Sequence, residues 1–177
     1  MEEVNLIVGV GSPTGDDRIG WEIATQLQQH PLRGWVIVSG KGPMDLLDLL
    51  ANFSGMHIEP IGPGPSRGEI DQRRLSRLAI CDAVASAEHS HGQLFCWHWP
   101  AADLARVPFR SSHQFSVVEA LELADSLGLL PPRVTLWGIG IDPAAAMPGA
   151  RAAISCDLQA RLPRLLEELR MQLCPPP

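Results

Sequence analysis

The sequence predicts an α/β protein, a three-layer α/β/α sandwich around a mainly parallel sheet of roughly five strands. Three observations carry that prediction. Short apolar runs, the composition of strands covered on both faces, occur at 4–10, 35–39, 78–84 and 134–141. Segments with the spacing of amphipathic helices alternate with them, at about 18–29, 44–50, 115–127 and 154–174. No internal repeat or low-complexity linker divides the 177 residues, so the chain reads as one domain, 1–177, large enough for a substantial core.

The elements follow in order. Val4 to Val10 is apolar nearly throughout and forms the first strand. The Gly/Ser/Pro loop after it gives way at Asp17 to a helical pattern, with Ile19, Ile23, Ala24 and Leu27 on one face. His30-Pro31 stops that helix, because proline disfavours the helical conformation in the residue before it. Trp35 to Ser39 is the second strand, and Gly40-Lys41-Gly42-Pro43 turns into a helix carrying Met44, Leu46, Leu47, Leu49 and Leu50.

Residues 53–76 read as an insertion into the core pattern, holding a short strand candidate at 56–61 and a basic helical turn at 73–77. Leu78 to Val84 is the central strand, and Gly92 to Trp99 is a strand near an edge. Phe115 to Leu127 is an amphipathic helix with Val118, Leu121, Leu123 and Ala124 toward the core. Pro131-Pro132 separates it from the last strand, Val134 to Ile141, and a long helix with Pro163 inside it closes the chain.

Composition excludes several function classes. A net charge of −6 argues against general nucleic-acid binding, which needs a basic face. No apolar run approaches the roughly 18 residues of a membrane span, and no signal peptide precedes Val4, so no membrane partner is expected. Cys81, Cys96, Cys156 and Cys174 show no Cys-x-x-Cys spacing, and two lie in apolar runs; a reduced, cytoplasmic protein is expected.

The chemistry concentrates after the first strand. Asp16 and Asp17 stand together at a helix N-terminus, where unpaired N–H groups and the macrodipole favour negative charge. One of them reads as an N-cap; two in a row exceed what capping needs. In a parallel sheet, ligands bind beyond the carboxyl ends of the strands. Asp17 follows the first strand, Asp82 ends the central one, and His113 opens a helix after a loop, so all three fall on one rim. His89-Ser90-His91 with Cys96 and His98 is a second cluster, but its spacing fits no metal site. His57 and Glu59 lie in the inserted segment. The glycines at 9, 11 and 15 also suggest a dinucleotide loop, against which Asp16 and Asp17 would repel a pyrophosphate.

Three blocks together, GVGSPTGDDRIG at 9–20, LAICDAV at 78–84 and SSHQFSVVEALELADSLGLLPPRVTLWGIGI at 111–141, resemble the hydrogenase maturation endopeptidases. These enzymes trim the C-terminus of the large subunit of nickel–iron hydrogenase. The resemblance covers most of the chain outside 53–76, and its last block is the most specific. It implies a single α/β/α domain and one peptide-bond cleavage in a large-subunit precursor that already carries nickel. By motif, the family's metal-reading and catalytic residues fall on Asp17, Asp82 and His113, with the nickel presented by the precursor. An oxygen and nitrogen donor set of this kind suits nickel or zinc.

The chain departs from the family pattern in three places. The glycine loop is about one residue short, with Ser12 where Asn is common. Ser39-Gly40-Lys41-Gly42 replaces an Asp-Gly-Gly, and residues 53–76 are inserted. A non-cleaving maturation chaperone with the same metal-reading rim is the alternative reading.

Overall fold

A computed structural model describes residues 2–53, 73–85, 91–101, 115–146 and 153–174. The described residues form a five-stranded sheet in the order β2-β1-β3-β5-β4. Its strands are β1 Glu2–Val10, β2 Trp35–Gly40, β3 Arg73–Ala85, β4 Leu94–His98 and β5 Arg133–Ile141. All pairings are parallel except that of the edge strand β4, which runs antiparallel to β5. The helices are α1 Ile19–Gln29, α2 Pro43–Phe53, α3 Val117–Ser126 and α4 Cys156–Leu173. The expected α/β architecture is borne out.

Side-chain alternation along the strands separates the layers. Ile7, Ala79, Cys81 and Ala83 face one way and pack with Ile19, Ile23 and Leu27 of α1 and Leu158, Leu162, Leu165 and Leu169 of α4. Leu6, Val8, Val10, Leu78, Ile80 and Val84 face the other way, against Leu46, Leu47 and Leu50 of α2 and Val117, Ala120, Leu121 and Ala124 of α3. Strands buried on both sides have no polar face to show, which is why they read as continuous apolar runs.

The helix after the first strand presses on the sheet backbone to backbone. A Cβ on Gly20 would collide with the Val10 carbonyl oxygen and come within 2.5 Å of the Cys81 carbonyl oxygen. A Cβ on Gly9 would collide with the Gly20 carbonyl oxygen and lie 2.7 Å from Ala24 Cβ. Only glycine at both positions lets α1 sit this deep. Trp21 then ties the same helix to the end of β2, its Nε1–H donating to the Gly40 carbonyl at 2.6 Å.

Two expectations are corrected. Arg73 to Arg77 is the start of β3, not a helical turn, because β1 extends to Glu2 and supplies a partner along its length, with Glu3 opposite Arg74 and Asn5 opposite Arg77. The Arg77 guanidinium lies over the Trp35 ring, 4.8 Å from its centroid. The core strand therefore includes residues 73–76, and residues 54–72, with the strand candidate at 56–61, His57 and Glu59, lie outside the described residues.

The buried face of α3 is also rotated. Val117, Ala120, Leu121 and Ala124 are buried, Val118 is partly buried, and Leu123 is 41% exposed. A capping box starts this helix: Ser116 Oγ accepts from the Glu119 N–H, and the Glu119 carboxylate accepts from the Ser116 N–H. The Ser-x-x-Glu signal was present in the sequence.

Candidate active site at the strand ends

The last pairing of β1 with β3 sets Gly9 opposite Cys81, and β3 then continues beside β5 alone, from Asp82 opposite Gly138 to Ala85 opposite Ile141. The chain leaving β1 folds over the edge thus freed. It forms a 3-10 turn, Gly15–Arg18, that packs against β3 and leads directly into α1. Gly15 opens this turn with φ +52°, a conformation that costs a side-chain-bearing residue more than glycine. The Ser12 N–H donates to the Asp17 carbonyl at 3.3 Å, and a Cβ on Gly11 would lie 2.6 Å from that same oxygen. The loop can close on the turn because Gly11 has no side chain.

Asp16, Asp17 and Asp82 are 1%, 3% and 2% exposed, carboxyl groups held almost wholly out of water. Asp82 Oδ1 accepts from the Ala83 N–H at 2.8 Å. Its Oδ2 is buried with no hydrogen-bond partner among the described residues. Burial pushes the Asp82 carboxyl well above the usual carboxylate range; the charge of Asp17 pushes it further, and the Ala83 N–H pulls it partly back. The register partner Gly138 has no side chain to contact Asp82, and the Trp97 ring fills the space over that glycine.

Two carboxylates that repel each other in a dry site call for a proton or a cation between them. The structure thus brings two of the three predicted residues, Asp17 and Asp82, into electrostatic contact. His113 lies outside the described residues, and α3 begins shortly after it. Among the described residues alone, no three His, Cys, Asp or Glu side chains gather as a metal site.

Asp16 does not cap the helix that follows it. Thr14 is the N-cap position of the 3-10 turn and makes no side-chain cap bond, while Asp16 Oδ1 accepts from the Ser155 N–H at 2.6 Å, at the start of α4. His91 joins this contact, its Nε2 lying 3.8 Å from Asp16 Oδ2 and 3.4 Å from Ser155 Oγ. Ser155 and His91 were missed as neighbours of the acidic pair, and no local signal could have found a contact spanning 139 residues.

Among the described residues the second cluster does not assemble. His89 and Ser90 lie outside the described residues, Cys96 and His98 are exposed on β4, and His98 Nδ1 is 3.4 Å from Thr135 Oγ1. Cys81, one residue before Asp82, is no nucleophile: burial, followed by the Asp82 charge, pushes its thiol up to about 12.

No family model and no curated protein sequence matches the chain. Solved structures do. The hydrogenase maturating endopeptidase HybD from E. coli superposes with a TM-score of 0.66 at 22% identity, over 96% of this chain and 91% of that one. An endopeptidase from Escherichia coli, determined in solution, gives 0.67 at 21% identity over 97% and 94%. The [NiFe] hydrogenase maturation protease HybD from Thermococcus kodakarensis gives 0.61 at 18% identity over 96% and 98%. The chain has the hydrogenase maturation endopeptidase fold. In that fold the resemblance read from the three sequence blocks is borne out. The maturation endopeptidase fold spans nearly the whole chain, so neither the departure at Ser39 nor the segment 54–72 has displaced the core.

Proposed function

We propose that this protein is an endopeptidase of hydrogenase maturation, which removes the C-terminal extension of a nickel-loaded large-subunit precursor. The observation that carries the reading is the buried pair Asp17 and Asp82, with Asp82 Oδ2 lacking a partner among the described residues and its carboxyl driven up by burial and by Asp17. Such a pair fits a divalent cation: it offers hard oxygen donors, and a positive charge would relieve its repulsion. The fold shared with maturation endopeptidases supports the same reading.

In this reading nickel belongs to the substrate. Asp17 and Asp82 bind the metal face of the precursor, His113 completes the donor set, and the peptide bond beside the metal is thereby fixed for attack. Docked nickel would supply charge to polarise the scissile carbonyl and acidify water. The dry surroundings of Asp82 strengthen every charge interaction at the rim, so a precursor lacking metal would bring no positive charge to relieve the Asp17–Asp82 repulsion. No helix among the described residues is long and apolar enough to cross a membrane. The proposed place of action is the cytoplasm, where the precursor is built.

The test is intact-mass analysis of a large-subunit precursor, nickel-loaded or nickel-free, incubated with the protein. Loss of a C-terminal peptide only from the loaded form is expected. Asp17→Asn and His113→Ala should each reduce that loss by about 100-fold or more, as removal of a charge-stabilising group does. Normal cleavage by a folded His113→Ala would remove His113 from the site.

A further inference from the structure

We propose that Asp16 is a positioning residue: clamped to Ser155 and flanked by His91, it holds the turn that presents Asp17. The inference rests on the reading of the Asp17–Asp82 site given above. The two adjacent aspartates divide their work between the sheet and one neighbouring helix. Asp17 acts on Asp82, where β3 has run past its last pairing with β1. Asp16 reaches to the start of α4, in the same helical layer as α1, and accepts the Ser155 N–H at 2.6 Å.

The turn needs such an anchor. Gly15–Arg18 is a short 3-10 segment, a geometry with poor hydrogen bonds, and no side chain caps it. The anchor itself is rigid. Ser155 is the N-cap of the 18-residue helix α4, its Oγ accepting from the Leu158 N–H at 3.4 Å. Leu158, Leu162, Leu165 and Leu169 fix that helix in the core. A carboxylate at this N-terminus is favoured by the positive end of the helix dipole.

His91 closes the outer side. Its neighbour Gly92 donates to the Gly140 carbonyl at 2.7 Å, which ties the backbone next to His91 to the end of β5. Asp16 Oδ2, buried without a hydrogen-bond partner among the described residues, faces it at 3.8 Å, within ion-pair reach. Three distant parts of the chain thereby meet at the residue next to Asp17. A shift of about 1 Å in a reacting group costs on the order of 100-fold in rate, so this clamp has leverage.

The test compares Asp16→Ala, Asp16→Asn and His91→Ala with wild type in precursor cleavage and in amide hydrogen exchange. Asp16→Ala should lower kcat by about 100-fold with KM changed by less than about threefold, because docking is kept and geometry is lost. Asp16→Asn retains an oxygen for the Ser155 N–H and should rescue kcat to within about tenfold of wild type. Exchange in residues 15–20 and 154–158 should quicken in Asp16→Ala while β3 stays protected.

Unchanged kcat and unchanged exchange in Asp16→Ala would overturn the proposal, and so would an Asp16→Asn as slow as Asp16→Ala. If Asp16→Ala does not fold, His91→Ala carries the test, with an expected loss of about three- to tenfold in kcat and faster exchange at 15–20; no change in either overturns the clamp. If wild type cleaves no precursor, the functional reading fails on its own, and the exchange data still decide whether Asp16 holds the turn.

Discussion

Replacing Asp82 by Asn should make the protein more stable and inactive together. Asp82 is 2% exposed, one of its oxygens is satisfied by the Ala83 N–H, and the other is buried without a hydrogen-bond partner among the described residues. Its carboxyl is raised well above 3.8 by burial first and by Asp17 second. The folded protein therefore holds this proton more tightly than the unfolded chain does. Stability linked to the group is fully present below the unfolded value, declines as pH rises above it, and is lost once pH passes the folded value.

Each unit of separation is worth about 1.4 kcal/mol, but relaxation and neighbouring groups absorb part of it. Asn keeps an oxygen for the Ala83 N–H and replaces the charge with an amide that faces Asp17. A gain of about 0.5–2 kcal/mol at neutral pH follows, the usual size of relief at a strained functional site. For a chain of this length that is about 1–8 °C in Tm. The assay is calorimetry of wild type and Asp82→Asn in chelator at pH 5 and pH 8, with cleavage of loaded precursor measured in parallel. The gain should be larger at pH 8, and cleavage should fall about 100-fold or more. A variant that is less stable than wild type at both pH values, or that cleaves normally, would refute the reasoning.

Three further outcomes follow from the fold. Gly20→Ala should cost about 3 kcal/mol in urea unfolding, since the new methyl must displace two backbone carbonyls; an open site would instead gain from alanine's better helix propensity, and a stabilised variant would contradict the close packing. A thiol reagent should label Cys96, Cys156 and Cys174 in the native protein and Cys81 only after unfolding, because Cys81 alone is buried and its thiol is held near 12. Ser116→Ala should lower stability by about 1 kcal/mol through loss of the cap on α3, and an unchanged unfolding midpoint would argue against that cap.

The sheet was legible in the sequence because burial on both faces leaves long apolar runs, and the strand at 134–141 and the helix at 18–29 emerged within a few residues of their observed limits. The acidic pair was legible because glycine, proline and aspartate cluster where a strand must turn into a helix. What escaped depends on partners far away in sequence. Arg73 to Arg77 carries helix-compatible residues, and only the presence of β1 alongside makes it a strand. Leu123 fits an apolar stripe, yet the face that packs on the core carries Val117, Ala120, Leu121 and Ala124, which leaves Leu123 outward. Asp16 has the local chemistry of a cap, and its true partner, Ser155, enters through the packing of α4 beside α1 on the same face of the sheet.

The most direct measurement is the intact mass of a hydrogenase large-subunit precursor after incubation with this protein, with and without nickel in the precursor. The account predicts loss of one C-terminal peptide from the nickel-loaded precursor and none from the nickel-free form. Cleavage of both forms alike would contradict metal reading by Asp17 and Asp82. Nickel-dependent binding with no change in mass would contradict the endopeptidase activity and leave a maturation chaperone in its place.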